Sequence, residues 1–361
     1  MPRQCDIGTH PACVRRCVHP TQPWPRTRTT SPSLETAGTS LDECALYGLV
    51  IPQSCDGQDI ARSLARSGII RTRIIVISRV TIRRQVLRRL TTTASRGIED
   101  TALGLMALRN SGRDPRALLD TQHRAGGWSA IHKVGPPNAF HTSLALLAIR
   151  PFQTASVRHA AGRAFEWLSE LRGVESHWLW QWKFRLFDRQ VRFDPLKSGW
   201  PWVPDTVSWV APTALSILAF QAWRRESSRT APAIAMLLDR ACPQGGWNAG
   251  NSVVFGVDLD PHPDFTAMAL LALRDGSPGY EALLNRSLDY LKARLEGSCS
   301  PYSLAWAVMA LSAHGHEGAH RLKNRLERCA AGKLDQLPRR VLALVSLALE
   351  DIPFTFQERS R

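Results

Sequence analysis

Phe265-Thr-Ala-Met-Ala-Leu-Leu-Ala-Leu273 is apolar on nearly every face and opens beside a threonine. Five other stretches share its build: Asp100–Leu108, His141–Ile149, Pro212–Phe220, Tyr302–Leu311 and Arg340–Leu349. Runs this short could be buried strands by periodicity alone, but Ala and Leu outnumber the β-branched residues and favour helix. Helices apolar all round must be buried all round.

Between these runs lie stretches of a second kind. In Tyr280–Gly297, Leu284, Leu288, Leu291 and Leu295 form a stripe at helical spacing, with Arg286, Asp289, Lys292 and Arg294 away from it. One face is therefore apolar and the other meets water. Similar stripes fit Arg79–Thr91, Asp114–Gln122, Val157–Arg172, Ala231–Ala241 and Glu317–Ala331. Six buried helices alternate with six half-exposed ones, which predicts an inner layer wrapped by an outer one, as an open superhelix or a closed ring. The count and the small, Ala-rich inner helices favour closure around a central hollow.

The full chain has 361 residues and a formal charge of +15. Residues 1–98 hold 15 Arg, no Lys and 6 acids, a net of +9, leaving +6 for the rest. The basic character is local to the first quarter, so it argues against a nucleic-acid partner. Residues 1–68 are dominated by Pro, Thr, Ser and Arg without a persistent period, which reads as disorder or as sequence foreign to the fold. The expected domain division is 1–78 for this segment, 79–350 for the helical body and 351–361 for a C-terminal tail. Eight cysteines are too few for a disulfide framework in a chain this long. With no secretion signal and no membrane-length apolar run, a cytoplasmic location is expected. Arg83-Arg84 and Arg88-Arg89 would allow peripheral contact with anionic lipid, although a solvated outer face explains them more simply.

Gln122-His-Arg-Ala-Gly-Gly-Trp128 resembles the Gln and Gly-x-Trp repeat of the squalene and oxidosqualene cyclases. Gln244-Gly-Gly-Trp247 and Ser198-Gly-Trp200 are looser copies. The buried stretches with Thr-Ala, as in Asp264–Leu273, resemble helices of those cyclases and of protein prenyltransferase β subunits. The resemblance covers about residues 96–350. It implies an all-α fold, an α/α toroid of about six helical hairpins, with an apolar isoprenoid as ligand and no cofactor.

Class II cyclases of this kind protonate an alkene with the middle carboxyl of Asp-x-Asp-Asp-Thr-Ala. Aligned on Thr266-Ala267, that motif finds His262, Asp264 and Phe265, so only the middle acid is kept. Aligned on Thr101-Ala102, it finds Gly97, Glu99 and Asp100, keeping two carboxyls of three. The resemblance thus implies Asp264 as proton donor with His262 beside it, and Glu99 and Asp100 as the competing pair. An acid at a helix start also complements the dipole and caps free amides, worth roughly 0.5–2 kcal/mol, without any catalytic role.

Other chemistries find little support. Cys13-x-x-x-Cys17-x-His19 lacks a second pair of metal ligands, and Asp42-Glu43-Cys44 has the spelling of a prenyltransferase zinc motif but lies outside the repeats. No metal is expected. Gly245-Gly-Trp-Asn-Ala-Gly-Asn251 could present amides to an anion, though a tight interhelical turn explains it.

From 173 to 211 the alternation breaks off. Six of the 12 tryptophans fall there: Trp178, Trp180, Trp182, Trp200, Trp202 and Trp209. In an extended segment Trp178, Trp180 and Trp182 would share one face. Together with Trp202, Trp209 and Trp247 they are the expected ligand wall, able to bury an isoprenoid or stabilise a carbocation by roughly 0.5–2 kcal/mol per ring. Two other functions fit the same residues: a non-catalytic repeat protein, and a carbohydrate-active toroid in which indoles stack on sugars between paired carboxylates.

Overall fold

The computed structural model describes residues 69–92, 95–108, 114–187, 193–275, 279–351 and 354. The described residues all belong to one compact unit, residues 68–361. Readings made on Cys13, Cys17, His19 and Asp42 to Cys44 lie outside them.

Thirteen α-helices and one two-stranded hairpin make up the described part. They are α1 (Ile69–Thr92), α2 (Ile98–Ala107), α3 (Arg116–Leu119), α4 (Ala139–Ile149), α5 (Ala155–Glu170), α6 (Trp178–Leu186), α7 (Val210–Ala222) and α8 (Thr230–Asp239). After the hairpin β1 (Val253–Val254) and β2 (Val257–Asp258) come α9 (Pro263–Ala272), α10 (Glu281–Glu296), α11 (Pro301–Ala313), α12 (Gly318–Ala331) and α13 (Arg339–Leu349). Helix α1 starts at Ile69, ahead of the expected onset at residue 79. The run Ile74-Ile-Val-Ile77 is β-branched, which lowers helix propensity and hides the period there.

Helices α2, α4, α7, α9, α11 and α13 are the apolar runs. In α4 every residue but His141 is buried, and in α7 every residue but Gln221. These six pack in succession, and α13 packs in turn against α2. Each has an outer companion: α3 on α2, α5 on α4, α8 on α7, α10 on α9, α12 on α11, and α1 on α13. The outer helices bury only a stripe, as with Leu284, Leu288, Leu291 and Leu295 in α10.

The six inner helices run parallel, because their cross-links join like ends. At the C-terminal ends Arg150 donates to the Ala222 carbonyl, Gln221 Nε2 to the Ala272 carbonyl at 3.1 Å, and His314 Nε2 meets the Leu270 carbonyl at 2.9 Å. At the N-terminal ends the Arg340 amide donates to Asp100 Oδ1 at 3.1 Å. Their positive dipole ends therefore gather at one end of the bundle.

The Gly-Trp repeats build the hairpins. The amides of Trp128, Trp200 and Trp247 donate to Thr142, Thr213 and Thr266 Oγ1 at 2.8, 2.9 and 2.9 Å. Each indole Nε1 donates to a last-turn carbonyl of the preceding outer helix: Leu118, Leu168 and Leu237, at 2.8, 2.8 and 2.6 Å. Carbonyls at a helix C-terminus lack i+4 amide donors, and the indole supplies one beside those these carbonyls find elsewhere: the Thr121 amide at Leu118, Arg229 at Leu168 and the Arg240 amide at Leu237. The glycine is needed for approach: at Gly246, where φ is +82°, a Cβ would lie 2.8 Å from both Thr266 Oγ1 and Pro261 Cβ.

The loop after each tryptophan then reaches back to the preceding inner helix. The first amides of α2, α4 and α7, on Ile98, Ala139 and Val210, donate to the carbonyls of Ala130, Trp202 and Ala249 at 3.0, 3.1 and 2.9 Å. Each of these carbonyls lies two residues beyond a repeat tryptophan, so one motif ties successive hairpins together.

Candidate functional site at the N-terminal ends of the inner helices

Water reaches the inner helices at their first and last turns. Glu99, His141, Asp264, Phe265, Tyr302 and Ser303 are partly exposed in the first turns, whereas the following turns are buried: Leu144–Ile149, Thr213–Phe220, Thr266–Ala272 and Leu304–Leu311. The expected central hollow is therefore filled beyond the first turn by the inner helices' own Leu, Ala and Met side chains. What water reaches is the two ends, and the ionisable side chains that the inner helices contribute gather at the end where they begin.

All three acids singled out in the sequence lie at the end where the inner helices begin. Asp264, in the first turn of α9, has Oδ1 buried without a hydrogen-bond partner. Burial pushes its pKa above the ordinary carboxylate value, with Ser303 and His262 pulling the other way. Glu99, in the first turn of α2, is also raised by burial; Arg340 opposes this and Asp100 adds to it. Arg340 Nε stands 3.8 Å from Glu99 Oε2. In both carboxyls loss of hydration outweighs neighbouring charge.

Tyr302 joins the two acids. Burial raises its phenol well above the usual range, and Glu99 and Asp264 both raise it further. Both carboxyls act electrostatically on one half-buried phenol, so the two alignments of the sequence fall at the same end of the bundle. Sequence reasoning placed Tyr302 at the start of a buried helix and gave it no role. Its signal was available: it occupies the same first-turn position in α11 that the acids occupy in α2 and α9.

The remaining candidates separate by role. Asp100 accepts from the Arg96 amide through Oδ2 and the Arg340 amide through Oδ1, both at 3.1 Å, so amides occupy both oxygens. That is the capping reading, extended across the α2–α13 seam. His262 is exposed; its amide donates to the Trp247 carbonyl at 2.8 Å and its ring meets Phe265 edge-on at 5.9 Å. His141 is the further titratable group at this level. Its Nδ1 faces Asn138 Oδ1 at 2.8 Å, and burial lowers its pKa to about 4.

The indoles do not form one wall. Trp178, Trp180 and Trp182 lie on α6, not on an extended segment, so Trp178 and Trp182 share a side that Trp180 does not. Trp178 and Trp182 are 62% and 61% exposed, and with Leu179 and Leu186 they make an outward apolar stripe. Trp180 turns toward Phe184, which meets Phe193. The Trp178-Leu-Trp-Gln-Trp-Lys-Phe184 run alternates as a strand would and also carries four-residue spacing, and the helix wins. Trp247 is fully buried, and its indole is spent on Leu237. Trp202 stacks on Phe140 of α4 at 5.0 Å, and Trp209 caps the start of α7. These two half-buried indoles stand at the level of the acids.

Buried charge pins the 173–211 insertion, a feature sequence reasoning missed. Arg229 stacks its guanidinium 4.5 Å from the Trp200 ring and donates to the carbonyls of Leu168, Leu171 and Gly199. Burial lowers its pKa to about 9. Glu175, fully buried, accepts the Ser208 amide at 3.0 Å. The 245–251 loop is a tight turn whose glycine amides already have acceptors: Gly245 donates to the Cys242 carbonyl, Gly246 to Ser287 Oγ on α10 and Gly250 to Asn248 Oδ1.

Among the described residues no cluster of His, Cys, Asp and Glu has the makings of a metal site, and no helix is long and apolar enough to cross a membrane. No protein-family model matches the chain, and no curated protein matches it.

Proposed function

We propose that the chain forms an α/α toroid resembling the squalene-cyclase and prenyltransferase repeat proteins, and that it binds an apolar isoprenoid at the end where its inner helices begin. The cyclic succession of inner helices with outer companions supports the architecture. One observation carries the functional reading: Glu99 and Asp264, both raised by burial, and Tyr302 occupy the same first-turn position of three inner helices, and Asp264 Oδ1 is buried there without a hydrogen-bond partner.

A protonated carboxyl can donate a proton, and the burial that raises Asp264 favours its protonated form. In the proposed reaction Asp264 transfers its proton to an alkene carbon, leaving a carboxylate and a tertiary carbocation. The chain closes when a second alkene attacks the cation, and loss of a proton elsewhere gives an isomer of unchanged mass. Trp202 and Trp209 offer ring faces to the cation, each worth roughly 0.5–2 kcal/mol. The hydrocarbon lies across the open end, because the deeper turns are filled.

The apolar stripe on α6 supports contact with a lipid surface, where such a ligand would be dissolved. Trp and Leu beside basic residues suit the membrane interface, and Lys183, Arg185, Arg189 and Arg192 all fall within this insertion.

A second reading, a non-catalytic repeat protein, draws support from the filled interior and from Asp100, whose carboxylate is committed to backbone amides. Incubating the protein with squalene and with prenyl diphosphates, and comparing products with those of Asp264→Asn, separates the two. Mass-neutral isomers lost in the variant support catalysis; a bound lipid in native mass spectrometry without turnover supports the second reading.

A further inference from the structure

Cys299 and Cys329 stand outside the site described above. Cys299 lies in the loop between α10 and α11 and is exposed; Cys329 lies in the last turn of α12 and is half-buried. Their sulfurs are 2.8 Å apart, about 0.75 Å from the ~2.05 Å of a disulfide bond. The Arg325 guanidinium is 3.8 Å from Cys299 Sγ. Cys329 also points toward the Ser298 carbonyl at 3.9 Å.

We propose that Cys299 and Cys329 form a redox-active dithiol, with Cys299 as the attacking thiolate and Cys329 as the resolving thiol. Three observations agree on these roles. Cys299 is reached by solvent and Cys329 only in part, so an oxidant meets Cys299 first. The hydrogen bond from Cys329, with the charges of Arg325 and Lys333, holds the Cys299 thiol below its ordinary pKa, while burial and Cys299 itself push Cys329 up. A low-pKa, accessible thiol beside a second thiol is the arrangement in which oxidation runs on to a disulfide.

With hydrogen peroxide as oxidant, the Cys299 thiolate attacks one oxygen and forms a sulfenic acid while hydroxide leaves. Cys329 then attacks the Cys299 sulfur, the S–O bond breaks, and water leaves as the disulfide forms. In total two thiols and one peroxide give one disulfide and two waters. A low-molecular-weight disulfide such as oxidised glutathione serves equally: Cys299 displaces one glutathione thiol, Cys329 the second. Either route ties the chain just before Ser300, the N-cap of α11, to the last turn of α12. Tyr302 lies two residues beyond that cap, so the oxidised form fixes the entry to the helix that carries it.

The test uses the full chain, treated with hydrogen peroxide or oxidised glutathione, alkylated and digested with trypsin. The expected product is Leu295–Arg321 joined to Cys329–Lys333, released by reductant. Cys329→Ser should stop at the first step, trapping Cys299 as a sulfenic acid that reacts with dimedone, or as a glutathione mixed disulfide. Cys299→Ser should leave Cys329 unmodified under the same exposure. Recovery of both cysteines as free alkylated thiols after oxidation would overturn the proposal, as would dimedone labelling of Cys329 in place of Cys299. Cross-links from either cysteine only to Cys242 or the N-terminal cysteines would overturn it too. None of these readouts depends on what the α2, α9 and α11 cluster does.

Discussion

The backbone N–H of Arg340 donates to Asp100 Oδ1 at 3.1 Å, joining the first turn of the last inner helix to the first turn of the first. The same seam is held by the Arg339 guanidinium, which reaches the carbonyls of Asp100 and Leu90. Residues far apart in sequence thus close the succession of inner helices. Asp100→Ala should leave two amides without an acceptor in a buried setting, at about 1–3 kcal/mol. Urea midpoints measure the loss, and Asp100→Asn, which keeps an acceptor oxygen, should recover part of it. Loss of turnover without loss of stability would instead give Asp100 a catalytic role.

Repeat tryptophans and insertion tryptophans should respond differently. Trp247→Phe removes the indole donor to Leu237, and Thr266→Val removes the acceptor for the Trp247 amide; each should cost about 1–3 kcal/mol. Trp182→Ala, at a site 61% exposed, should shift stability by less than about 0.5 kcal/mol. If α6 meets lipid, the same Trp182→Ala change lowers the bound fraction in sedimentation with anionic liposomes. An equal stability loss at Trp182 and Trp247 would contradict the assignment of one to the surface and the other to the hairpin core.

Acid should weaken the fold through His141. Its folded pKa of about 4 lies below the ordinary 6.5, so the unfolded chain binds the proton more readily. The stabilising contribution is complete above pH 6.5 and is lost as pH falls toward 4, by on the order of 3 kcal/mol. Thermal unfolding of the parent and His141→Gln across pH 4 to 7 checks this: the difference between them should narrow as the pH falls. A constant difference would contradict it.

Glu99 and Asp264 carry the opposite sign. A carboxyl whose folded pKa is raised contributes fully below its ordinary value, 4.5 for Glu99 and 3.8 for Asp264, and loses that contribution as pH rises through the folded value. Glu99→Gln and Asp264→Asn should therefore raise the melting temperature at pH 7 and lose that advantage near pH 3. Groups held at a cost to the fold are common where chemistry is done. Destabilisation at pH 7 would make both acids structural.

The layering was legible in the chain because an apolar run such as Leu144–Ile149 has no polar side to offer water, while the Leu284–Leu295 stripe has one. The Gly-Trp repeats were legible as well, but their work was not. Nothing in Gly246-Trp247 announces that the amide finds Thr266 and the indole finds Leu237, since both partners come from other elements. Trp178–Phe184 misled because its alternate tryptophans fit a strand as well as a helix, and spacing cannot arbitrate over so few residues. Glu99 and Asp264 were found singly. That both lie at one end of the bundle with Tyr302 depends on the return of α13 to α2, a long-range contact that local pattern does not carry.

The proposed chemistry is tested most directly by mass analysis of products formed from squalene and prenyl diphosphates in deuterated water. The account predicts an isomer that carries one solvent deuteron, formed by the parent protein and absent with Asp264→Asn. It expects Glu99→Gln to slow the reaction through the shared Tyr302. Products without solvent deuterium, or turnover unchanged in Asp264→Asn, would contradict it.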